Sequence, residues 1–142
     1  LLKTYDLKLV ALIIGTETIT GYGEDGGVEI EPNSDIAEAT PGADGEYTLS
    51  RTNDKGHTAT ITVRETSRGY RILRELQQAQ DLELKVAGLT FTMMDPISGE
   101  TVSDDQAAFL TQPTMAKNRE AGEREFTLLL PNPIITPATL NL

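Results

Sequence analysis

A chain of 142 residues fits one domain, and a domain of about 150 residues buries roughly 70% of the surface its unfolded form exposes, enough for a core without staples. It contains no cysteine, which excludes disulfides, thiolate nucleophiles and cysteine metal sites and leaves the redox compartment open. The net charge of −10 is unevenly placed: no Lys or Arg occurs from Leu9 to Ser50, a stretch holding Glu17, Glu24, Asp25, Glu29, Glu31, Asp35, Glu38, Asp44 and Glu46, so everything outside it carries only −1. A protein that grips nucleic acid by its phosphates needs clustered cations, and this stretch has none. Its acidity reads either as a solvated surface, the commoner case, or as a surface that repels a polyanion or meets a basic partner. No apolar run approaches the ~20 residues of a membrane span, and the opening "LLKTYDLKLV" lacks a long apolar segment with a cleavage site, so the chain reads as soluble.

In chain order the pattern is mostly β. "LKLVALII", residues 7 to 14, predicts a buried first strand, with Gly15, Thr16 and Glu17 turning it into "TIT" as a hairpin. After the glycine-rich turn "GYGEDGG", the strand "VEIE" puts Val28 and Ile30 on one face and Glu29 and Glu31 on the other, and Pro32 with Asn33 ends it. Residues 33 to 54 follow, a polar segment of more than twenty residues with only Ile36, Tyr47 and Leu49 as sizeable apolar side chains. It neither alternates like a strand nor repeats like a helix, and so long a connection in a compact domain is usually functional or disordered. "TATITVRET" from Thr58 then alternates cleanly, with Ala59, Ile61 and Val63 inward and Thr58, Thr60, Thr62 and Arg64 outward.

Ser67 is the predicted N-cap of a helix, "RGYRILRELQQAQD", with Tyr70, Ile72, Leu73, Leu76 and Ala79 as its apolar stripe and Arg68, Arg71 and Arg74 as a ridge on the other face. Such a ridge is most often a solvated face, and otherwise a dock for an acidic neighbour. "LELKVAGLTFTMM" returns to β with Leu89, Phe91 and Met93 on one side, and "DPISGE" turns it. "VSDDQAAFLTQPTMAKNREAGE" reads as a polar, partly helical connection to a last strand, "REFTLLL". The tail 131–142, with prolines at 131, 133 and 137, is poor material for a sheet interior.

Catalytic chemistry is scarce. His57 is the only histidine, in a loop before a strand, with no nucleophile or ligand at a spacing that would make it a base. "GYGEDGG" has neither the Lys and Ser/Thr of a phosphate loop nor a G-x-G-x-x-G opening a helix. Glu24 with Asp25, and Asp104 with Asp105, lack the ligand alternation of a calcium loop. Aromatics at 5% and the absence of tryptophan argue against a sugar-stacking cleft between paired acids. No catalytic, cofactor or metal site is expected, and no enzyme.

"KTYD", then "ITGYGEDGGVEIE" and "GADGEYTLSRTNDKGHTATITVRETS", together with "DPISGETVSDDQAAFLTQPTMAKNREAGEREFTLLLP", resemble in order and spacing the tail tube proteins of contractile-tailed bacteriophages. The resemblance spans almost the whole chain. It implies one domain over 1–142, an antiparallel β-sandwich or barrel with one flanking helix, assembled as hexameric rings that stack into a hollow tube. The partners it implies are the chain itself and the tail sheath, baseplate and tail terminator proteins, within a virion tail put together in the bacterial host cytoplasm. DNA would pass through the bore without specific binding, and no cofactor is implied.

In that setting residues 33–54 become an inter-subunit loop, an arm or hairpin ordered against a neighbour, with Asp35, Ile36, Pro41, Gly42, Ala43, Asp44, Gly45, Tyr47 and Leu49 as interface residues. The strand faces bearing Glu29 and Glu31, or Thr58, Thr60 and Thr62, are candidates to line the bore, and Arg68, Arg71 and Arg74 to meet sheath or an adjacent subunit. A secretion (type VI) or tailocin tube shares the expected fold and assembly. A monomeric β-sandwich binding module is the alternative of another class, disfavoured by the shortage of aromatic anchors.

Overall fold

The computed structural model describes residues 6–23, 26–82 and 88–137. Ten strands and one helix are present among them: β1 (Ala11–Ile14), β2 (Glu17–Thr18), β3 (Val28–Pro32), β4 (Ala37–Pro41), β5 (Tyr47–Arg51), β6 (His57–Arg64), α1 (Arg68–Leu82), β7 (Leu89–Met94), β8 (Thr101–Phe109), β9 (Glu123–Leu130) and β10 (Ile134–Thr136). Strand accounts for 45% of the described residues and helix for 14%, so the protein is mainly β, as expected.

Strand order is β2-β1-β7-β8-β9-β6-β3, every neighbouring pair antiparallel, with β10 alongside the start of β8. β8 is the corner. Thr101–Ser103 pair with β10 on one side and β7 on the other, whereas Ala108 and Phe109 pair with β9. One long strand thereby passes from one half of the sheet to the other, and the halves close on a shared core. Leu12, Ile14, Phe91 and Val102 from one half meet Ala59, Ile61, Val63, Phe126, Leu128 and Leu130 from the other in a single buried cluster. Most of these residues alternate along their strands, the period-2 pattern that a sheet with one face in the core requires.

Helix α1 begins where the sequence predicts. The Ser67 hydroxyl accepts the Tyr70 N–H at 3.1 Å, satisfying one of the donors that the first turn leaves without an intrahelical partner. Its buried face differs from the expected stripe. Ile72 and Leu73 are buried and Tyr70 and Leu76 half-buried, but Ala79 is exposed, and Gly69 and Gln77 are buried in addition. Gly69 is there for want of a side chain: a Cβ would run into the Thr20 carbonyl, so the helix rests directly on the segment after β2. Toward the other end of α1 the Gln80 amide lies against the Phe109 backbone, accepting its N–H and donating to its carbonyl, each at 2.9 Å. A side-chain amide has the donor and acceptor of a peptide group, so Gln80 closes the end of β8 as a strand residue would.

Two further expectations are corrected. Residues 7–14 are not one strand: Leu7–Leu9 form a 3-10 turn and β1 starts at Ala11. The connection read as partly helical contains β8, the longest strand, and no helix. The misreading traces to Asp104, a carboxylate at an inward position. One of its oxygens accepts the Gln106 N–H at 2.8 Å, across the bulge where β8 slips register against β7, and the other accepts the Asn132 N–H at 3.0 Å. A buried carboxylate is tolerated when backbone donors satisfy it. The proline-rich tail, expected to be poor in a sheet interior, contributes the edge strand β10 before its described residues end at 137.

Candidate assembly surfaces

The segment 33–54 is a hairpin. Among the described residues β4 and β5 pair only with each other, from Ala37 against Arg51 to Pro41 against Tyr47, and form a two-stranded sheet separate from the main sheet. Its apolar alternation is real but carried by small residues: Ala37, Ala39 and Pro41 share a face with Tyr47, Leu49 and Arg51, and Glu38, Thr40, Thr48 and Ser50 take the other. Two alanines and a proline on one strand are too small to register as a strand face, which is why the sequence reading found no alternation. Ile36, Tyr47 and Leu49 are 85%, 72% and 71% exposed. Two isolated strands are at best marginally stable in water, yet this pair holds its large apolar groups in solvent.

The hairpin is fixed at both ends. At its tip Gly45 takes φ of 89°, its N–H reaches the Gly42 carbonyl at 3.1 Å, and the Asp44 carboxylate accepts the Glu46 N–H at 3.1 Å. At its base Asp54 accepts the Gly56 N–H at 2.9 Å and the Ser34 hydroxyl at 3.0 Å, the Asn33 N–H meets the Gly56 carbonyl at 3.0 Å, and Thr58 donates to the Asn33 side chain. The Gly56 N–H and then the Ser34 hydroxyl hold the Asp54 carboxyl below its usual value of 3.8. Asp35 sits at this base, while Pro41, Gly42, Ala43, Asp44 and Gly45 make up the tip, all exposed.

Glu29 and Glu31, and Thr58, Thr60 and Thr62, were expected as two separate faces. They form one. Register places Glu29 beside Thr60, Glu31 beside Thr58, Thr60 beside Thr127 and Thr62 beside Glu125. The outer face of β3-β6-β9 therefore carries Glu29, Glu31, Glu123 and Glu125 around a threonine centre, with Arg64 as the cation at its end. The sequence reading missed Glu123, Glu125 and Thr127, although the alternation of "EREFT" signalled them.

Of the arginines on α1, Arg68 lies 3.7 Å from Glu17 with both side chains largely exposed, Arg74 donates to Gln77 at 2.9 Å, and Arg71 is exposed with no ion pair among the described residues. Together with Tyr70 and the Glu65–Ser67 turn they line an open groove of about 580 Å³. Behind it Arg124, 3% exposed, binds the Glu65 carboxylate, donates to the Ala116 carbonyl at 3.0 Å and stands 5.9 Å from the Tyr70 ring centre. Lys117 approaches the same Glu65 oxygen at 3.9 Å.

His57 sits at the start of β6 with Nδ1 against the Lys55 carbonyl, a turn contact. Both Asp104 oxygens are taken by backbone donors, Glu24 and Asp25 lie outside the described residues, and no group of three or more acidic or imidazole side chains suited to a metal occurs among the described residues. No helix among them is long and apolar enough to cross a membrane.

This arrangement of a bent antiparallel sheet, one helix and an exposed hairpin has a fold shared with chains of contractile injection systems. The tube-terminating cap of the anti-feeding prophage is similar over 97% of this chain and 94% of that chain, with a TM-score of 0.63 and 12% identity. The sheath/tube terminator of the extracellular contractile injection system PVC, in its extended state, is similar over 94% and 97%, with a TM-score of 0.60 and 11% identity. A chain of the PVC sheath–tube complex matches over 91% and 88%, at 0.60 and 13%. Identities this low show the shared fold. The family itself comes from the sequence: the model of the bacteriophage PhiTE tail tube protein family matches residues 5–132, and the chain belongs to that family. It is a structural protein of the phage tail. No curated protein sequence matches the chain significantly.

Proposed function

We propose that the chain assembles into hexameric rings that stack as the inner tail tube of a virion, the conduit for DNA at ejection, and that the outer face of β3-β6-β9 lines the bore. The observation that carries this reading is the merging of Glu29, Glu31, Thr58, Thr60 and Thr62 with Glu125 and Thr127 into one polar, acidic sheet face. Carboxylates repel phosphates and hydroxyls bind them weakly, so such a wall lets a polyanion pass, whereas a lysine-rich one would hold it by counterion release.

Among the described residues β3 pairs with β6 on one side only, and we assign its other edge to a second copy. Joined in this way around a ring, the sheets close into a barrel and remove edges that would otherwise aggregate. The β4–β5 hairpin is the inter-subunit arm, with Ile36, Tyr47 and Leu49 as its apolar anchors and Asp35 and the 41–45 tip as polar contacts. The Arg68, Arg71 and Arg74 ridge meets an acidic surface of another subunit or of the sheath. Baseplate and tail terminator complete the partners, and the host cytoplasm is the place of assembly.

Sedimentation and negative-stain microscopy of the purified protein across a concentration series test the reading. Six-fold rings and hollow tubes are expected. A strict monomer at all concentrations, with a defined small ligand, would return the chain to the class of β-sandwich binding modules. A tailocin or secretion tube would also build rings, and detection of the protein in purified DNA-filled virions separates it from them.

A further inference from the structure

The acidic hairpin and the arginine groove lie at opposite ends of one strand. β6 leaves the hairpin base at His57, where Pro32 pairs with it, and ends at Arg64, three residues before the helix cap Ser67. Eight residues of strand separate the two surfaces by about 23 Å. The hairpin then extends away from the body by five paired residues per strand, roughly 17 Å. Its tip is narrow, built from Gly42, Ala43 and Gly45, and it presents the carboxylates of Asp44 and Glu46 with no cation between Leu9 and Ser50 to offset them.

The groove is its complement in charge. Arg68, Arg71 and Arg74 line it together with the half-buried Tyr70, and of the two carboxylates that also line it Glu65 is already bound by Arg124, leaving Glu75. Contact between like ends of two copies would set acid against acid or arginine against arginine. Contact between unlike ends is heterologous and, where no rotation closes it into a ring, repeats along an axis as a filament does. We propose that the hairpin tip of one subunit docks in the α1 arginine groove of the next subunit along the tube, Asp44 and Glu46 against Arg68, Arg71 and Arg74, and that this pairing sets the polarity of stacking. The inference rests on the tube reading and names the receptor for its arm.

Charge exchange tests it. Arg68→Glu with Arg71→Glu reverses the groove, and Ala43→Lys with Glu46→Lys reverses the tip while keeping Asp44, whose carboxylate holds the turn. Each pair alone is expected to cut tube yield about tenfold or more with melting unchanged, and all four together to restore it. Because the chain has no cysteine, Ala43→Cys combined with Thr66→Cys supplies a second readout: oxidation should give a ladder of linked subunits from the double variant and only dimers from either single one. Normal tubes from a one-sided reversal, or no recovery in the fourfold variant, would overturn the contact. Normal tubes that no longer take up purified sheath after groove reversal would overturn it too and assign the ridge to sheath. If the unmodified chain builds no tubes at all, the tube reading fails and this contact with it.

Discussion

Asp104 shows how one side chain can hold a corner of this fold. Its two oxygens accept backbone donors from the β8 bulge and from Asn132, so the strand that joins the two halves of the sheet and the tail that returns beside it are tied to a single buried carboxylate. Asp104→Ala leaves both donors without a partner and should cost about 3 kcal/mol, read as a loss of melting temperature, with Asp104→Asn recovering part of it. Arg124 and Glu65 make a second such point. Glu65→Ala strands a buried guanidinium and should cost about 3 kcal/mol, whereas Glu65→Leu with Arg124→Met should cost less than the sum of the single changes, measured in a double-mutant cycle.

Asp54 acts at the hairpin base with a pH signature. Its folded carboxyl titrates below 3.8, so its contribution to stability is present above 3.8 and is lost as pH falls through the depressed folded value. A side-chain NMR titration should give a midpoint below 3.8, and Asp54→Asn should raise Gly56 amide exchange at neutral pH but not at pH values below the folded midpoint. A midpoint at or above 3.8 would mean that the brace is not formed in solution.

Among the elements, the hairpin is the one whose removal should separate folding from assembly. None of its residues from Ala37 to Arg51 is buried, so replacing 37–51 by a short glycine linker withdraws nothing from the core and shortens a loop at little entropic cost. Thermal melting should be preserved and tubes lost. Tyr47→Ala and Leu49→Ala, singly, are expected to lower assembly by about 2 kcal/mol per contact without moving the melting temperature. Normal tubes from the shortened chain would make the hairpin a surface ornament, and an unfolded monomer would make it part of the body's own stability.

Over the whole molecule, charge is sorted rather than merely abundant. The β3-β6-β9 face and the hairpin are acidic, and the arginines of α1 collect at the other end of β6. Tubes should therefore show no appreciable affinity for duplex DNA at physiological salt, and assembly itself should weaken as salt rises and screens the unlike ends. Sub-micromolar DNA binding with a steep salt slope, measured by anisotropy, would contradict an acidic bore.

By itself the sequence determined the elements whose signal is local. The alternation of "TATITV" marked β6 and its buried Ala59, Ile61 and Val63, Ser67 and the spacing after it marked α1, and the order of short motifs along the chain carried the tail tube resemblance that the family match confirms. Only the tertiary structure decided what depends on distant partners. Asp104 can lie inward because Asn132 comes back to meet it, the weak alternation of the hairpin becomes a strand pair because its two halves face each other, and Glu29 joins Thr60 and Thr127 because register brings three strands side by side. The opposition of tip and groove also belongs to the fold. Charge is written in the chain, but the end of the molecule at which it stands is set by the direction of one strand through the core.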